Sequence, residues 1–591
     1  MGRPSRSPTD PELGGQSAAR RRRRLRRAAQ HRFLTPDAAG PYGARVDASA
    51  ARSRRGSARL LVAILLLAAG LRVYPLHVAY EHPDQFLVPD VAMRSIGEET
   101  WRPANLLYPT GLMETLRVLY LAGYAGARSL HRVADRTDWV ALYLENPQPF
   151  LAAARAWACL AGTATVALAF LLAGRLFPRP AGVLAALFLA VSFLHVRESH
   201  YGHVDAPAVL FFVAALWAAE RYRGDGRLKS LVGAAALTGA AAGHRYQLAV
   251  AALALAVAEL ARRGQDVRVA VRHLALAAAT ALATFAVLSP YTLLEPGRAI
   301  AQLRWQVAFG YFPTRNALPL REILPLACGW PVCALALLGV AVALRRRTTT
   351  AALLLAPLVP YVIAIAGAWR VYARYLLPLV PLVAVFGAGG AVALCARLAG
   401  RARSIAIVAL ALATIADPLA RSTALDRLLA RTDTRELAGR WLLRHVRPGE
   451  LVLRGNGYAE PRLPPDFAKA ALRVGVPLAT KLRQRGRGLL PFAVLDDPAK
   501  PGAERARWVV TSDHPGIPAW AKTSDAMASF AERSAEPAVR FVGTADAGSA
   551  VYERIDATFV PLRGFGVAER PGPNIAIWQV VRPPLAVQRG R

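Results

Sequence analysis

Long apolar stretches separated by short polar loops make up the chain from residue 58 to residue 420. Most of these stretches hold about 15–22 residues with almost no charge, the length that an α-helix needs to cross a bilayer. They lie near residues 58–76, 151–174, 181–196, 206–220, 230–243, 247–261, 274–289, 323–344, 351–368, 375–396 and 404–420. The stretch at 106–128 is interrupted by charges and a proline, which predicts a re-entrant or interfacial helix. The pattern predicts an α-helical polytopic membrane protein with about eleven transmembrane helices.

The pattern changes after residue 420, where apolar runs become shorter, prolines are frequent and charges are mixed. Residues 432–446 have helical periodicity. Short strands are predicted at 451–453, 508–511, 539–542 and 575–578 from their β-branched and aromatic residues. We therefore predict three regions. Residues 1–57 form a disordered basic cytoplasmic tail, 58–420 the transmembrane domain, and 421–591 a small extracytoplasmic α/β domain.

Charge refines this topology. The chain of 591 residues carries a net charge of +35, yet 54% of its residues are hydrophobic. The excess is mostly arginine in the tail and in short loops between apolar runs, which disfavours nucleic-acid binding and marks those loops as cytoplasmic. The same rule predicts a multi-pass protein of the cytoplasmic membrane, with its N-terminus inside the cell. Loops without basic clusters then fall together on the outer face: 77–150, 197–205, 244–247, 290–322 and 369–374.

A polar stretch, His82–Asp90, directly follows the first predicted span. Ionisable residues at a membrane surface usually serve chemistry or ion handling. Asp84 is suited to act as general base on an acceptor hydroxyl, or to hold a metal near a lipid phosphate. Asp90 fits a shared site or the cap of a short helix. A turn or helix cap is the structural alternative for Asp84 as well, because it follows a proline.

A second polar cluster contains His200, His203 and Asp205. Histidine together with carboxylate suits several divalent ions, although this spacing matches no specific ligand signature. Asp205 followed by Pro207 equally fits a helix start, with the aspartate as cap and the proline in the first turn. Both interpretations stay open from the sequence.

Two arginines break apolar regions on the predicted outer face. Arg245 lies between two apolar runs, and Arg374 lies at the head of another. A guanidinium group suits a phosphate through its several donors and permanent charge. The alternatives are a plain helix–helix turn with a snorkelling arginine, or an interfacial aromatic belt. Phosphate-loop, dinucleotide-binding and zinc-protease motifs are missing from the sequence.

These stretches together resemble the GT-C glycosyltransferases of the protein O-mannosyltransferase and aminoarabinose transferase type, a glycosyltransferase family 39-like group. The resemblance rests on the order of several motifs from residue 58 to residue 420, with weaker echoes afterwards. The stretches are His82–Gln85, Tyr108–Pro109, Arg155, Ser199–His200 with Asp205, Ser289–Tyr291, Arg374–Pro381, Asp433–Arg435 with Ala438 and Trp441, and Arg570–Ile575.

The resemblance implies a polyprenyl-phosphate-linked sugar as donor and a glycan, lipid or protein as acceptor outside the cytoplasmic membrane. It assigns Asp84 as the catalytic carboxylate. Our hypothesis is that a further group of residues binds the substrates: Asp90, His200, His203, Asp205, Arg245, Tyr291 and Arg374. Gln85 stands where the family usually has a second acidic residue, which raises interest in Asp90 or Asp205 as a partner. Some relatives bind a divalent cation, and no metal ligands are assigned here.

Two other functions are compatible with a polytopic chain. A transporter or flippase for a lipid-linked or anionic substrate predicts paired broken helices in two related halves, and only the break at 243–247 is visible. A scaffold whose outer domain binds partners predicts that Asp84, Asp205 and Arg245 lie far apart.

Overall fold

The structure is a computed structural model that describes residues 2, 41–80, 82–262, 266–310, 319–346, 348–367, 371–455 and 457–581. Most of the predicted tail, 1–57, lies outside these residues. The prediction of disorder differs from the structure over its last part, because the chain is helical from Pro41 to Val73. Alanine and arginine dominate residues 44–59. Both are strong helix formers, and this explains a helix that begins before the apolar run.

Helices form nearly all of the described chain up to residue 445. The α-helices are Pro41–Val73, Leu87–Gly97, Gly111–Ser129, Arg136–Glu145, Gln148–Leu176, Ala181–Ala190, Phe193–His200, Asp205–Asp225, Leu228–His244, Ala252–Leu260, Val267–Leu288, Pro290–Leu294, Pro296–Gly310, Leu324–Cys328, Trp330–Arg345, Thr349–Leu355, Leu358–Gly367, Val380–Leu394, Gly400–Leu429 and Thr434–His445. Shorter turns are the 3₁₀ segments Tyr246–Ala251, Ala373–Leu379 and Cys395–Arg397 and the π-helical turn Pro319–Ile323.

Six helices among the described residues are long and apolar enough to cross a membrane, or eight when each of two bent pairs forms one span. The predicted number of eleven is not confirmed. The difference lies mainly at 206–220, 230–243 and 247–261. The helix Asp205–Asp225 ends in a charged turn, and the next two helices, Leu228–His244 and Tyr246–Leu260, are shorter than 18 residues. The stretch at 106–128 forms the helix Gly111–Ser129, which is not among the candidate spans.

Glycines let two helices approach closely beside the segment that carries Arg374. The helix Val380–Leu394 continues directly from the 3₁₀ turn Ala373–Leu379 and packs on Trp330–Arg345. A Cβ atom at Gly339 would collide with the backbone of Phe386, and one at Gly390 with the backbone of Leu335. Small residues at helix crossings are the usual means of close packing in membranes. This contact fixes the base of the Arg374 segment.

The C-terminal part of the described chain contains a five-stranded mixed sheet and a two-stranded hairpin. The strands are β1 Leu451–Arg454, β2 Ala493–Leu495, β3 Ala506–Asp513, β4 Ala535–Phe541, β5 Val551–Tyr552, β6 Pro561–Arg563 and β7 Asn574–Val580. The sheet order is β2-β1-β3-β7-β4; β1 is parallel to β2 and β3, and β7 is antiparallel to β3 and β4. The four segments predicted as strands all overlap these strands.

Short helices accompany the sheet: Phe467–Val474, Val476–Arg485, Pro518–Ala521 and Asp525–Ser534, with the 3₁₀ turns Ala503–Arg505 and Phe565–Val567. The helix Phe467–Val474 packs on Leu87–Gly97, which lies in the first predicted outer loop. The connection between β5 and β6, residues 553–560, is largely buried. This connection contacts the Arg374 segment through Glu553 and Asp556.

Candidate functional site

Arg374 is the centre of a buried charged cluster. It lies in the first turn of the 3₁₀ segment Ala373–Leu379, and its side chain is only 4% exposed. One terminal nitrogen, Nη2, donates to Asp84 Oδ2 at 2.7 Å. The other, Nη1, donates to Asp556 Oδ2. A guanidinium group has two forked ends, so one arginine can hold two carboxylates in fixed positions.

His82 completes the contacts around Arg374. Its Nε2 atom lies 3.3 Å from Arg374 Nη1 and 3.5 Å from Asp556 Oδ2. Its Nδ1 atom accepts the backbone N–H of Asp84 at 3.1 Å, which fixes the tight turn that presents the Asp84 carboxylate. Burial outweighs Asp556 and lowers the pKa of His82, so the neutral ring is favoured. The histidine therefore orients Asp84 through the backbone and contacts its partner arginine through the ring.

A second layer supports this cluster. Glu553 lies three residues before Asp556 and accepts the backbone N–H of Ala373 at 2.5 Å. Its other oxygen accepts from Arg197 Nη2 at 2.8 Å. Arg197 also contacts Glu198, with 3.4 Å between Nε and Oε1. These side chains are at most 2% exposed, and buried charges persist only when they are paired.

Asp205 organises a neighbouring group. Although it is the first residue of the helix Asp205–Asp225, its side chain caps no backbone N–H of that helix. Instead, Oδ2 lies 2.6 Å from His203 Nδ1, and Oδ1 forms an ion pair with Arg245 Nη1. Arg245 directly follows the next helix along the chain, Leu228–His244, and its backbone is extended. The carboxylate thus joins a loop histidine to the arginine at the helix break, which removes the capping alternative.

Aromatic rings connect the two groups. The ring of Tyr375 lies 4.6 Å from the Arg245 guanidinium carbon and 6.0 Å from that of Arg374. Tyr372 covers Arg374 at 4.3 Å. The ring of His203 lies 5.3 Å from Tyr108, edge to face, and 5.8 Å from His82. An arginine that lies over an aromatic face can still donate hydrogen bonds in the plane of its own guanidinium group. Two guanidinium groups and three aspartates therefore share one site.

Burial and charge set the protonation states here. The pKa of His203 falls to about 3, first because of burial and then because of Arg374. Burial would raise the pKa of the Asp556 carboxyl, but Arg374, helped by the hydrogen bond from His82, outweighs it and holds that pKa below its usual range. Burial raises the pKa of Tyr108. At neutral pH the site therefore presents a neutral His203, an ionised Asp556 and a protonated Tyr108.

The structure brings together four of the eight site residues predicted from the sequence around Arg374 and Tyr375, with His203 beside them. These four are Asp84, Asp205, Arg245 and Arg374. Each lies in a different predicted outer loop, namely 77–150, 197–205, 244–247 and 369–374. The fifth loop, 290–322, joins the first through Arg298, which donates to the Pro103 carbonyl at 3.0 Å. This convergence agrees with the prediction that these loops share one face. The scaffold hypothesis predicted that Asp84, Asp205 and Arg245 lie far apart, and that prediction is wrong.

Two of the three remaining predicted site residues have other partners. Asp90 Oδ1 accepts from Arg473 Nη2 at 2.8 Å and from the Tyr143 hydroxyl at 2.6 Å. His200 Nε2 lies 2.9 Å from Asp426 Oδ1, on the helix Gly400–Leu429. Tyr291 lies in the short helix Pro290–Leu294. The contacts of these three residues therefore place none of them on Arg374 or Arg245.

Several members of the cluster were not predicted from the sequence. They are His82, Tyr108, Arg197, Glu198, Glu553 and Asp556. His82 and Tyr108 lie within the quoted motifs, and the polar stretch at 197–205 contains Arg197 and Glu198. Asp556 lies 182 residues from Arg374 in the chain, so no local sequence pattern indicates that the two residues meet. Among the described residues, no group of three or more His, Cys, Asp or Glu side chains is arranged to hold a metal ion.

Comparison with known proteins gives a partial family match. Residues 150–291 match the model of the dolichyl-phosphate-mannose-protein mannosyltransferase family. This region includes His203, Asp205, Arg245 and Tyr291. No curated protein sequence matches the chain.

Solved structures give a match over most of the chain. ArnT from Cupriavidus metallidurans, bound to undecaprenyl phosphate, is 14% identical, with a TM-score of 0.50 over 88% of this chain and 98% of ArnT. The oligosaccharyltransferase of Archaeoglobus fulgidus, tethered to an acceptor peptide, is 13% identical, with a TM-score of 0.45 over 77% of this chain and 69% of its own. The mycobacterial arabinofuranosyltransferase AftD is 16% identical, with a TM-score of 0.45 over 89% of this chain and 40% of its own.

The match to ArnT extends across both the helical region and the C-terminal part. At this identity it establishes a common fold rather than a common substrate. The partial family match adds a sequence relationship within 150–291. The resemblance predicted from the sequence is therefore confirmed: residues 150–291 match the mannosyltransferase family model, and the chain has the fold of ArnT.

Proposed function

We propose that this protein is a membrane glycosyltransferase that moves a sugar from a polyprenyl-phosphate carrier to a glycan, lipid or protein acceptor. The contact that supports this most directly is Arg374 between two carboxylates, with Arg245 on the shared ring of Tyr375. Such a site offers a base and two phosphate-binding groups within one cluster. These are the groups that displacement of a phosphate by a hydroxyl requires.

In the proposed reaction, Asp84 accepts the proton of the acceptor nucleophile. That nucleophile attacks the anomeric carbon of the sugar, and the bond from this carbon to the phosphate oxygen breaks with inversion. Arg374 and Arg245 bind the leaving phosphate as its negative charge grows. Preorganised donors of this kind contribute about 3–4 kcal/mol each to lowering a barrier. The neutral His203, held by Asp205 at 2.6 Å, positions the donor sugar through its ring.

The active face is proposed from loop charge. The loops that bear Asp84, Asp205, Arg245 and Arg374 lack basic clusters, whereas the opposite loops are rich in arginine. The positive-inside rule then puts the site on the outer face of the cytoplasmic membrane, with the C-terminal domain beside it. Cysteine labelling at position 84 tests this assignment. Labelling by an impermeant reagent from the outside supports it, and labelling only from the cytoplasm contradicts it.

Release of lipid phosphate tests the chemistry. The purified protein is reconstituted in liposomes with undecaprenyl-phosphate-linked mannose, galactose or arabinose and an envelope extract as acceptor. We expect wild type to release undecaprenyl phosphate from one of these donors and Asp84→Asn to lose at least about a thousandfold in rate, as for loss of a general base combined with its charge. Asp135→Asn, an aspartate in the second half of the same predicted loop, is the matched control.

The same preparation separates the competing function. Full activity of Asp84→Asn would remove Asp84 from the mechanism. A transporter or flippase would instead move the labelled donor across the bilayer, and no donor would release lipid phosphate.

A further inference from the structure

Asp556 comes to the site from the far end of the chain. It lies in the connection between β5 and β6, and its carboxylate contacts both Arg374 Nη1 and, at 3.5 Å, His82 Nε2. Its side chain is 5% exposed, whereas that of Asp84 is 20% exposed. The two carboxylates on Arg374 therefore differ: Asp556 is enclosed by protein and held by two partners, and Asp84 is more exposed.

The same connection also fixes the backbone beneath Arg374. Glu553 accepts the N–H of Ala373, the residue just before Arg374, at 2.5 Å. Its second oxygen is held by Arg197 at 2.8 Å. Residues 553–556 thus contact the Arg374 segment twice, once at its backbone and once at its guanidinium group. A group held at both ends loses little freedom when it binds a ligand, which favours preorganised recognition.

A donor phosphate must compete with the carboxylates of the site for its arginines. Arg374 and Arg245 face three carboxylates, Asp84, Asp556 and Asp205. An incoming phosphodiester adds a further negative charge and needs a guanidinium donor. The Nη2 atom of Arg374 is the donor paired with the more exposed of its two carboxylates, Asp84. A phosphate that binds Nη2 must therefore displace Asp84, while Asp556 still holds Nη1.

We propose that Asp556 is a positioning residue that acts as the permanent counter-ion of Arg374, while Asp84 is an exchangeable one. This inference rests on the proposed function. When the donor binds, its phosphate replaces Asp84 on Nη2, and Asp556 retains Nη1. Asp84 is then free to face the acceptor. Donor binding thereby activates the base, and the donor binds before the acceptor.

The transfer step balances with these partners. The acceptor O–H bond breaks and its proton moves to Asp84, while the acceptor oxygen forms a bond to the anomeric carbon. The bond from that carbon to the phosphate oxygen breaks, and its electron pair stays on the phosphate. The lipid phosphate thus gains one negative charge as it leaves. Arg374, still fixed by Asp556, lies on the growing charge, where its electrostatic effect is largest.

Binding of undecaprenyl phosphate without an acceptor provides the test. Substitution of the two carboxylates on Arg374 should change the affinity for this lipid in different ways. In the full-length protein in detergent, Asp556→Asn should weaken binding of undecaprenyl phosphate at least about tenfold, since one buried partner of the arginine is lost. Asp84→Asn should bind as tightly as wild type or tighter, because the competing carboxylate is gone. Asp546→Asn, an exposed aspartate ten residues earlier, is the control and should match wild type.

The outcomes separate this inference from the proposed function. If wild type neither binds undecaprenyl phosphate nor releases it from any donor, the proposed function fails. If wild type binds it and Asp556→Asn binds it equally well, the counter-ion inference alone fails. A purely structural role would lower the melting temperature and leave affinity unchanged in the folded fraction. Should Asp556→Asn not fold, Asp556→Glu, which shifts the carboxylate by one methylene, should bind more weakly than wild type, and unchanged affinity would overturn the inference.

Discussion

Arg374 Nη2 donates to Asp84 Oδ2 at 2.7 Å, across 290 residues of sequence. Asp84, the proposed base, thus forms an ion pair with Arg374, the proposed phosphate-binding group. The geometry of this pair depends on a planar fork, because the second nitrogen of Arg374 simultaneously contacts Asp556. A lysine ammonium is a point charge on a flexible stem and cannot span two fixed carboxylates in this way.

The first prediction is therefore that Arg374→Lys is not conservative. We expect kcat/KM for the lipid-linked sugar to fall by an amount equivalent to about 2–5 kcal/mol, as for loss of a buried hydrogen-bonded charge partner. Release of lipid phosphate in proteoliposomes measures this. Arg440→Lys, on a half-exposed arginine paired with Glu436, should leave the rate unchanged. Activity within a few-fold of wild type in Arg374→Lys would show that the fork is not needed.

Substitutions of Asp205 and Asp84 should differ in their effects on activity and on stability. The side chain of Asp205 is 2% exposed and holds both His203 and Arg245, whereas Asp84 is 20% exposed and faces Arg374. Breaking a buried ion pair by removing one partner typically costs about 3–5 kcal/mol. We expect Asp205→Asn to lower both activity and the thermal unfolding midpoint, and Asp84→Asn to lower activity with little change in that midpoint. Equal melting of the two variants would contradict the difference in burial.

Asp90 is predicted to contribute to stability more than to transfer. Its carboxylate accepts three hydrogen bonds from Arg473, at 2.8–3.1 Å, and one from the Tyr143 hydroxyl. These contacts join the helix Leu87–Gly97 to the helix Phe467–Val474. Hydrogen bonds to a charged group contribute about 1.5–3 kcal/mol. Asp90→Asn should lower the melting temperature while the KM for the donor stays near that of wild type. A large rise in KM would restore the substrate-binding role that the sequence suggested.

The part of the fold that depends on local pattern could be predicted. Trp508 to Thr511 and Ile575 to Trp578 are β-branched and aromatic segments, and they pair as β3 and β7. The number of spans was harder to predict, because an apolar run such as 230–243 does not show where a helix stops. The helix Leu228–His244 has 17 residues and ends at Arg245, where the backbone becomes extended. Arg245 pairs there with Asp205, a tertiary contact that the local pattern does not reveal.

The site could be predicted where charge interrupts an apolar run. Asp84, Asp205, Arg245 and Arg374 each do this, and the structure brings them together. His200 shows the limit of this argument. It lies three residues from His203, but the helix Phe193–His200 ends between them, and His200 instead contacts Asp426. Asp556 lies in a region of mixed charge, so nothing in its neighbourhood distinguishes it from an ordinary surface aspartate.

The last prediction concerns pH and a histidine away from the proposed site. His514 Nδ1 accepts two backbone N–H groups, from Gly516 at 3.0 Å and Ile517 at 3.1 Å. This nitrogen must carry no proton for the turn to form. Burial lowers the pKa of His514 to about 4. In the unfolded chain a histidine has a pKa of about 6.5, so between these values the unfolded state binds more protons than the folded one. The stabilisation is complete above about pH 6.5 and is lost as the pH falls toward 4.

A single substitution isolates this effect. In His514→Asn, the side-chain oxygen can accept the same turn N–H groups, as in an Asx turn, but it does not titrate. At pH 7.5, where the histidine is neutral in both states, the variant should be less stable by a fixed amount, because asparagine fills less of the space beside Tyr552 and Phe559. At pH 5, linkage between the two pKa values predicts that wild type loses about 2 kcal/mol relative to the variant. Thermal unfolding followed by tryptophan fluorescence from pH 4.5 to 8 measures the difference. Other titrating groups, His82 and His203 included, are present in both proteins and cancel. If the difference in stability stays constant with pH, or moves further in favour of wild type as the pH falls, the turn at His514 does not depend on its neutral ring.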